Sequence, residues 1–219
     1  MIEKLITAKP VNKRTAKSDL TKSKILNATL ELISQHGLSY LSHRLIAKEA
    51  DVKLSLTSYY FGTLDKLIEA AFDVFDSQAK INQQQVSNKI EDTYIYCQET
   101  YTQENVISEY IKHLTRIYTD YFESGLKSRQ KALCIENHFI HELNFGEAIA
   151  NKVKAFNLRL HVMVEKLCIR LGSKQPNVDA YIIIGTIRQA EFNHTYSTKE
   201  FDRTFFEDCL IRMMVNTSK

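Results

Sequence analysis

Helix-breaking residues are scarce in this chain. Of its 219 residues, 6 are Gly and 2 are Pro. Both residues interrupt helices, and Gly also supplies the tight turns that connect strands. A chain with so few of them is expected to form long helices rather than a sheet protein with many turns. With 44% hydrophobic residues, it is also apolar enough to bury a real core.

Composition argues against several classes of protein. No apolar run approaches the roughly 20 residues of a membrane-spanning helix. The basic N-terminus has no apolar stretch behind it, which disfavours a secretory signal. The four cysteines are far apart and form no C-x-x-C pair, so a disulfide framework or a zinc ribbon is disfavoured. These features predict a cytoplasmic protein.

Charge is distributed unevenly along the chain. The net charge is +3 overall, but residues 1–72 carry 11 basic and 7 acidic side chains, whereas the remainder carries 18 and 19. A basic N-terminal part on a nearly neutral body is typical of a DNA-binding head. A solvated, disordered tail is an equally good reading of the charge alone.

Apolar spacing divides the chain into segments. Ile25, Ala28 and Leu32 form one helical stripe, which predicts a first helix from Thr21 to the break at Gly37. We expect a flexible basic arm over 1–20, a helix-turn-helix domain over 21–66 and a helical domain over 67–219. Further helices are predicted near 42–50, 55–60, from 65 towards 83–85, and near 106–122, 129–143, 147–171, 178–196 and 199–215, with a loop near 92–105.

The few breakers of the C-terminal part agree with this division, with one exception. Gly125, Gly146, Gly172 and Pro176 are all predicted to lie between helices. Gly185 lies inside an apolar run, where Gly costs a helix about 1 kcal/mol against Ala. We therefore expect a packing reason for it, such as the close approach of another helix.

The most informative stretch is SHRLIAKEADVKLSLTSYYF at residues 42–61. It reads as two short helices around a tight turn at 50–52, the arrangement of a helix-turn-helix. Ser42 is placed to cap the first of these helices. The turn needs a residue in the left-handed conformation, and Asp51 is among the few residues other than Gly that tolerate it.

Around this turn the chain resembles the TetR family of repressors. The matching letters are IAKEADV at 46–52 and YYFGTLDKL at 59–67, together with the first-helix pattern that ends at Gly37. The resemblance covers about residues 22–72. It implies an all-α protein whose three-helix DNA-binding head is joined by a long fourth helix to a larger ligand-binding and dimerisation domain. Asp51, Lys53, Thr57, Ser58 and Leu64 depart from the family pattern, so base preferences cannot be transferred.

The resemblance also implies which residues contact DNA. Tyr59 and Tyr60 can donate hydroxyl hydrogens to phosphates, although both could instead be core residues. Arg44 matches a position that reads a base, although a phosphate or solvent contact is an equal alternative. Ser55 and Ser58 are suited to base contacts on an exposed helix face. The predicted DNA-binding residues are Lys22, Arg44, Lys53, Leu54, Ser55, Leu56, Ser58, Tyr59, Tyr60 and Lys66.

The C-terminal part is expected to hold an effector pocket, again by resemblance. Aromatic residues crowd positions 94–160, and most of them must be core. No charged residue stands out as an anchor, so no ligand can be named. The pocket residues predicted are Tyr110, His113, Leu114, Ile117, Phe139 and Phe156. The helices near 147–171 and 178–196 would form a dimer interface, unless their apolar stripes serve only to pack within one chain.

Taken together, these features favour a homodimeric repressor that a small-molecule effector releases from a palindromic DNA operator. The alternative is a DNA-binding architectural or adaptor protein whose C-terminal domain binds a protein partner. His138 and His141 lie one helical turn apart, but surface histidines are a better reading than a metal site. No P-loop, GxGxxG or GxSxG motif is present, so neither a cofactor nor an enzyme is expected.

Overall fold

The computed structural model describes residues 13–142, 146–195 and 200–218. Over these ranges the chain forms α-helices and a single 3₁₀ turn at Leu38–Tyr40, and it contains no strand. The predicted all-α class is therefore confirmed. The helices are α1 (Lys13–His36), α2 (His43–Glu49), α3 (Leu54–Phe61), α4 (Leu64–Thr100), α5 (Val106–Ser128), α6 (Gln130–His141), α7 (Glu147–Arg170), α8 (Pro176–Thr195) and α9 (Arg203–Thr217).

The chain divides into two compact units, of which the first ends at Phe72 and the second begins at Asp73. In the first unit, α2 packs against both α1 and α3. The stripe predicted for the first helix is buried, and Ile25, Ile33 and Ile46 are fully inaccessible to solvent. A small hydrophobic core thus holds α1, α2 and α3 together.

The second unit is built around two helix pairs. α7 packs along α8, and α5 packs along α9. One buried cluster joins α4, α5, α7 and α9 through residues that include Tyr110, Phe122 and Phe206. A smaller cluster of Val164, Cys168, Ala180 and Ile183 joins α7 to α8. Within the described residues, no helix is both long and apolar enough to cross a membrane.

The first helix begins earlier than its apolar stripe predicts. α1 starts at Lys13, so residues 13–20 of the predicted flexible arm are helical, while 1–12 lie outside the described residues. Residues 13–20 contain no Gly or Pro, so nothing in them stops the helix. The Thr21 hydroxyl donates to the Lys17 carbonyl at 2.9 Å, as is usual one turn apart in a helix.

The fourth helix is longer than predicted. A loop was expected near 92–105 because that stretch is polar, but α4 continues to Thr100. No Gly or Pro lies between Gly62 and Gly125, and tertiary contacts stabilise the end of the helix. Cys97 is fully buried in the second unit, and the Tyr110 hydroxyl donates to the Ile90 carbonyl at 3.2 Å.

Two glycines behave differently from the prediction. Gly125 lies inside α5 rather than between helices. Gly185 lies inside α8 as expected, but the predicted close approach of another helix is wrong within this chain, because nothing lies within 4 Å of a Cβ built there. Gly146 and Gly172 lie between helices, and Pro176 is the first residue of α8, a position that suits proline.

Candidate nucleic-acid interface and internal cavity

The turn between α2 and α3 has the predicted geometry. The Ser42 hydroxyl caps α2 by accepting from the Leu45 amide at 3.3 Å. Asp51 adopts φ 51°, the left-handed conformation, and is the non-glycine residue with positive φ in the described chain. The Val52 amide then donates back to the Ala47 carbonyl at 3.0 Å, which closes the end of α2. The predicted cap and the predicted role of Asp51 are both confirmed.

A polar contact that the sequence did not predict joins α2 to α3. Thr57 is fully buried, and its hydroxyl donates to the Leu54 carbonyl at 2.8 Å. The same oxygen lies 3.0 Å from Nδ1 of His43. Because the threonine hydrogen is already used, the Nδ1–H of His43 donates to this oxygen. The hydrogen bond ties the first residue of α2 to the middle of α3.

Around Thr57, the surface of α3 is exposed. Ser55, Ser58 and Tyr59 face solvent, and Tyr59 is 78% exposed, so it is not the core residue that one reading of the sequence allowed. Leu56 and Tyr60 are half-buried. The other predicted DNA-contact residues, Lys22, Arg44, Lys53, Leu54 and Lys66, are all exposed.

Tyr60 connects this surface to α1. Its ring meets the Tyr59 ring edge-on at a centroid distance of 5.0 Å. The ammonium of Lys22 lies 5.7 Å from the Tyr60 ring centroid, within the range of a cation–π contact. A basic side chain and two tyrosine rings therefore lie next to one another, and both residue types can contact a phosphate backbone.

An internal cavity of about 230 Å³ lies within the second unit. Helices α4 to α9 all contribute to its wall, which is mainly apolar. A smaller cavity of about 100 Å³ adjoins it between α4 and α5. Apolar lining residues of the larger cavity include Phe75, Val86, Leu114, Phe156, Leu160, Met163, Ile183, Ile187, Leu210, Met213 and Met214.

Four charged side chains also line the larger cavity: Arg129, Glu136, Arg188 and Glu191. Arg188 lies 3.6 Å from a Glu136 carboxylate oxygen. Burial raises the pKa of Glu136, although the two guanidinium groups oppose this. Burial, together with the Glu136 charge, raises the pKa of Glu191 to about 7. The cavity thus combines an apolar wall with a titratable, charged region.

Of the six predicted pocket residues, three line a cavity and three do not. Leu114 and Phe156 line the larger cavity, and Ile117 lines the smaller one. The other three line neither cavity. Tyr110 and Phe139 are buried core residues, and His113 lies 3.3 Å from the Tyr101 hydroxyl.

None of the four charged residues that line the larger cavity was predicted from the sequence. Each lies on, or just before, an amphipathic helix. In the sequence of such a helix, a charged residue that lines a cavity cannot be distinguished from one that faces solvent. The spacing of Arg188 and Glu191 on α8 gives only a weak signal, because residues three apart share a helix face. Within the ranges described, no group of three His, Cys, Asp or Glu side chains that could hold a metal was found, at His138 and His141 or elsewhere.

Comparisons with known proteins find a family match for the head and similar solved structures for the fold. Residues 25–71 match the family described as bacterial regulatory proteins, tetR family. A transcriptional regulator from Rhodococcus sp. Rha1 has a similar fold, with a TM-score of 0.62 and 12% identity over 90% of this chain and 95% of that one. No curated protein sequence matches the chain.

Two further solved structures are similar. NalD of Pseudomonas aeruginosa, described as the secondary repressor of the MexAB-OprM multidrug efflux pump, has a TM-score of 0.59 and 18% identity over 92% of this chain and 97% of its own. The multidrug binding protein EbrR, in complex with malachite green, has a TM-score of 0.59 and 17% identity over 88% of this chain and 96% of its own.

This fold and the matched head are those of a helix-turn-helix DNA-binding regulator of transcription. Within that class, the resemblance to the TetR family predicted from the sequence is confirmed by the match at residues 25–71 and by the shared helical fold.

Proposed function

We propose that this chain is a homodimeric repressor that binds a near-palindromic DNA operator and leaves it when a small molecule occupies the cavity of the second unit. The observation that carries the proposal is the exposed surface of α3, with Ser55, Ser58 and Tyr59 open to solvent directly after the turn at Asp51. In a helix-turn-helix, the second helix enters the major groove and its exposed side chains meet base edges and phosphates.

Exposed apolar faces on α7 and α8 support a dimer. Tyr181 and Ile182 on α8, and Leu158 on α7, are large apolar side chains left open to solvent. The His161 ring packs at a tilt against the Tyr181 ring, with a centroid distance of 4.3 Å, so the two faces adjoin. Gly185 lies on the same stripe of α8 as Ile182, where a second copy of the chain could approach closely. Two recognition helices about one DNA turn apart, ~34–36 Å, then read two half-sites.

A small-molecule effector is supported by the size and the wall of the cavity. About 230 Å³ of mainly apolar space with a few charged groups is the usual character of a ligand site. EbrR is described as a multidrug binding protein and NalD as a repressor, which supports a comparable role here. Ligand binding would favour a state of the dimer that fits the operator poorly.

The proposal is tested by a gel-shift titration with the DNA immediately upstream of the coding gene. We expect tight binding to a near-palindrome and an affinity that falls steeply with salt, because phosphate contacts release counterions. Tyr59→Ala should weaken binding at least tenfold. The matched control is Tyr40→Ala, since Tyr40 is also an exposed tyrosine of the first unit, at 46%, but lies outside α3.

Lys53→Ala tests a second predicted contact with the DNA backbone. If Lys53 binds one phosphate, its loss reduces the slope of log affinity against log salt by about 0.9. A chain that shows no preference for any upstream DNA over competitor DNA would not be a repressor of this kind.

A further inference from the structure

We propose that the cavity binds an amphipathic monoanion, a molecule with one carboxylate and an apolar body. The anionic group would lie against Arg129 and Arg188, and the body along the apolar wall. This inference rests on the proposed function in one respect, that the cavity ligand is the effector. Binding itself can be measured on the protein alone, without DNA.

Each of the two guanidinium groups has a neutral partner. Arg129 stacks on the Tyr121 ring at 4.1 Å and donates to the Tyr121 hydroxyl at 3.0 Å. Arg188 donates to the Asn157 side-chain carbonyl at 2.8 Å and lies 3.6 Å from Glu136. Aromatic stacking and amide contacts orient a guanidinium group without neutralising it.

Arg129 and Arg188 each also keep a buried Nε–H with no hydrogen-bond partner among the described residues, and their charge is not fully balanced at neutral pH. Glu136 can offset one guanidinium group, and Glu191, whose pKa is about 7, is ionised only in part. One positive charge remains without a full counter-charge, and a charge that is partly shielded from water is stabilised by a further anionic partner. A bound monoanion, with Glu191 protonated, brings the group of four to neutrality.

A cation would have the opposite effect. Even with both glutamates ionised, a bound cation leaves one excess positive charge inside the cavity. Among the described residues that line the cavity, the neighbouring elements add no further charged side chain. Facing the four residues are Tyr118 and Tyr121 from α5 and Asn157 from α7, while α9 contributes Leu210, Met213 and Met214.

The apolar wall suits a flexible or elongated body. Met163, Met213 and Met214 line the cavity, and methionine side chains adapt to ligands of different shape. Tyr118 and Leu114 line both the larger and the smaller cavity, so the space extends towards the gap between α4 and α5. An alkyl chain could follow this extension while its charged end stays near the arginines.

The test uses two probes with the same chain and opposite charge, dodecanoate and dodecyltrimethylammonium. Both are titrated calorimetrically, below their micelle concentrations, into the full-length protein at pH 6 and pH 8. Dodecanoate should bind at least tenfold more tightly than the ammonium probe. Its affinity should fall about tenfold between pH 6 and pH 8, because a group with a pKa of about 7 must be protonated in the complex.

Two variants test whether Glu191 causes the pH dependence and whether Arg188 binds the carboxylate. Glu191→Gln, which resembles the protonated side chain, should retain tight binding of dodecanoate at pH 8 and lose most of the pH dependence. Arg188→Met should weaken dodecanoate at least tenfold without weakening the ammonium probe. Arg212→Met is the control, because Arg212 is an exposed residue of α9 that does not line the cavity. Circular dichroism verifies that each variant is folded.

Tighter binding of the ammonium probe, an affinity for dodecanoate that rises with pH, or no binding of dodecanoate would each overturn the inference. None of these results affects operator binding, which the gel shift measures separately. Conversely, a protein that binds dodecanoate as described but does not recognise DNA would overturn the proposed function alone.

Discussion

At the scale of single residues, the helix-turn-helix depends on two polar side chains. Asp51 supplies the left-handed turn conformation, a role that its residue type predicts. Thr57 is buried between α2 and α3, where its hydroxyl both accepts from His43 and donates to Leu54. Threonine at this position departs from the leucine frequent in the family, and the contact with His43 gives the departure a physical reason.

Removing this hydroxyl should destabilise the head. Thr57→Val keeps the shape of the side chain but leaves the Nδ1–H of His43 without its acceptor, at a cost of about 1–3 kcal/mol. Urea denaturation monitored by circular dichroism measures the loss. Ser58→Ala is the control, because Ser58 is exposed and should change the free energy of unfolding by less than about 0.5 kcal/mol. Equal stability of wild type and Thr57→Val would show that the bond is not important.

At the scale of elements, helices α7 and α8 carry apolar side chains that their own chain does not cover. Both contribute buried residues to the second unit, and both also leave large apolar side chains exposed. Sequence patterns detected the broad apolar stripes of these helices but could not separate packing within one chain from packing between two. The structure shows that the stripes serve the chain's own core only in part.

A charge on the exposed face of α8 should prevent dimerisation. Ile182→Glu would place a carboxylate in an apolar contact between two copies of the chain, so we expect the dissociation constant of the dimer to rise by more than about 100-fold. Sedimentation velocity at a fixed protein concentration detects the shift to monomer. Ile81→Glu is a matched control, since Ile81 lies on α4 and both isoleucines are 53% exposed.

If Ile182→Glu sediments like wild type, the interface lies elsewhere. If wild type itself is a monomer at micromolar concentration, the dimer proposal is wrong.

At the scale of the whole molecule, the two units differ in where their charged residues lie. The basic excess of residues 1–72 includes exposed lysines on the first unit, where a polyanion can reach them. In the second unit, the numbers of basic and acidic side chains are nearly equal, and some of these charged residues line a cavity. A buried carboxylic acid with a raised pKa makes folding depend on pH, so the cavity should affect stability even without a ligand.

The stability of the folded chain should fall as pH rises past the ordinary range of a glutamate. Folding favours the protonated form of Glu191, so its contribution is complete below about pH 4.5 and is lost as pH rises through about 7. Between pH 5 and pH 8 the loss amounts to about 2–3 kcal/mol, because folding raises the pKa of Glu191 from 4.5 to about 7. Urea unfolding of Glu191→Gln and of wild type at both pH values measures it.

Glu191→Gln should become more stable relative to wild type by this amount at pH 8 compared with pH 5. Glu99→Gln, a change at an exposed residue of α4, should show no such difference. A constant stability gap between Glu191→Gln and wild type across this range would contradict a raised pKa at Glu191.

Several features follow from the sequence because they depend on neighbours along the chain. The scarcity of Gly and Pro predicts helices, and Ser42 and Asp51 predict the cap and the turn of the head. The end of α4 was predicted too early, because it depends on contacts with residues that are distant along the chain. Burial of Cys97 and the hydrogen bond from Tyr110 to Ile90 join residues far apart in sequence, and they keep a polar stretch helical.

By itself, the sequence determined the helical class, the position of the helix-turn-helix and the exposed character of Ser55 and Ser58 on α3, because capping, turn conformation and apolar periodicity are local properties. Only the tertiary structure decided that Leu114 and Phe156 line a cavity while Tyr110 and Phe139 are core, and that Arg129, Glu136, Arg188 and Glu191 come together. Which side of a helix faces a cavity, the core or solvent depends on how the helices pack, and an amphipathic pattern is nearly the same in all three cases.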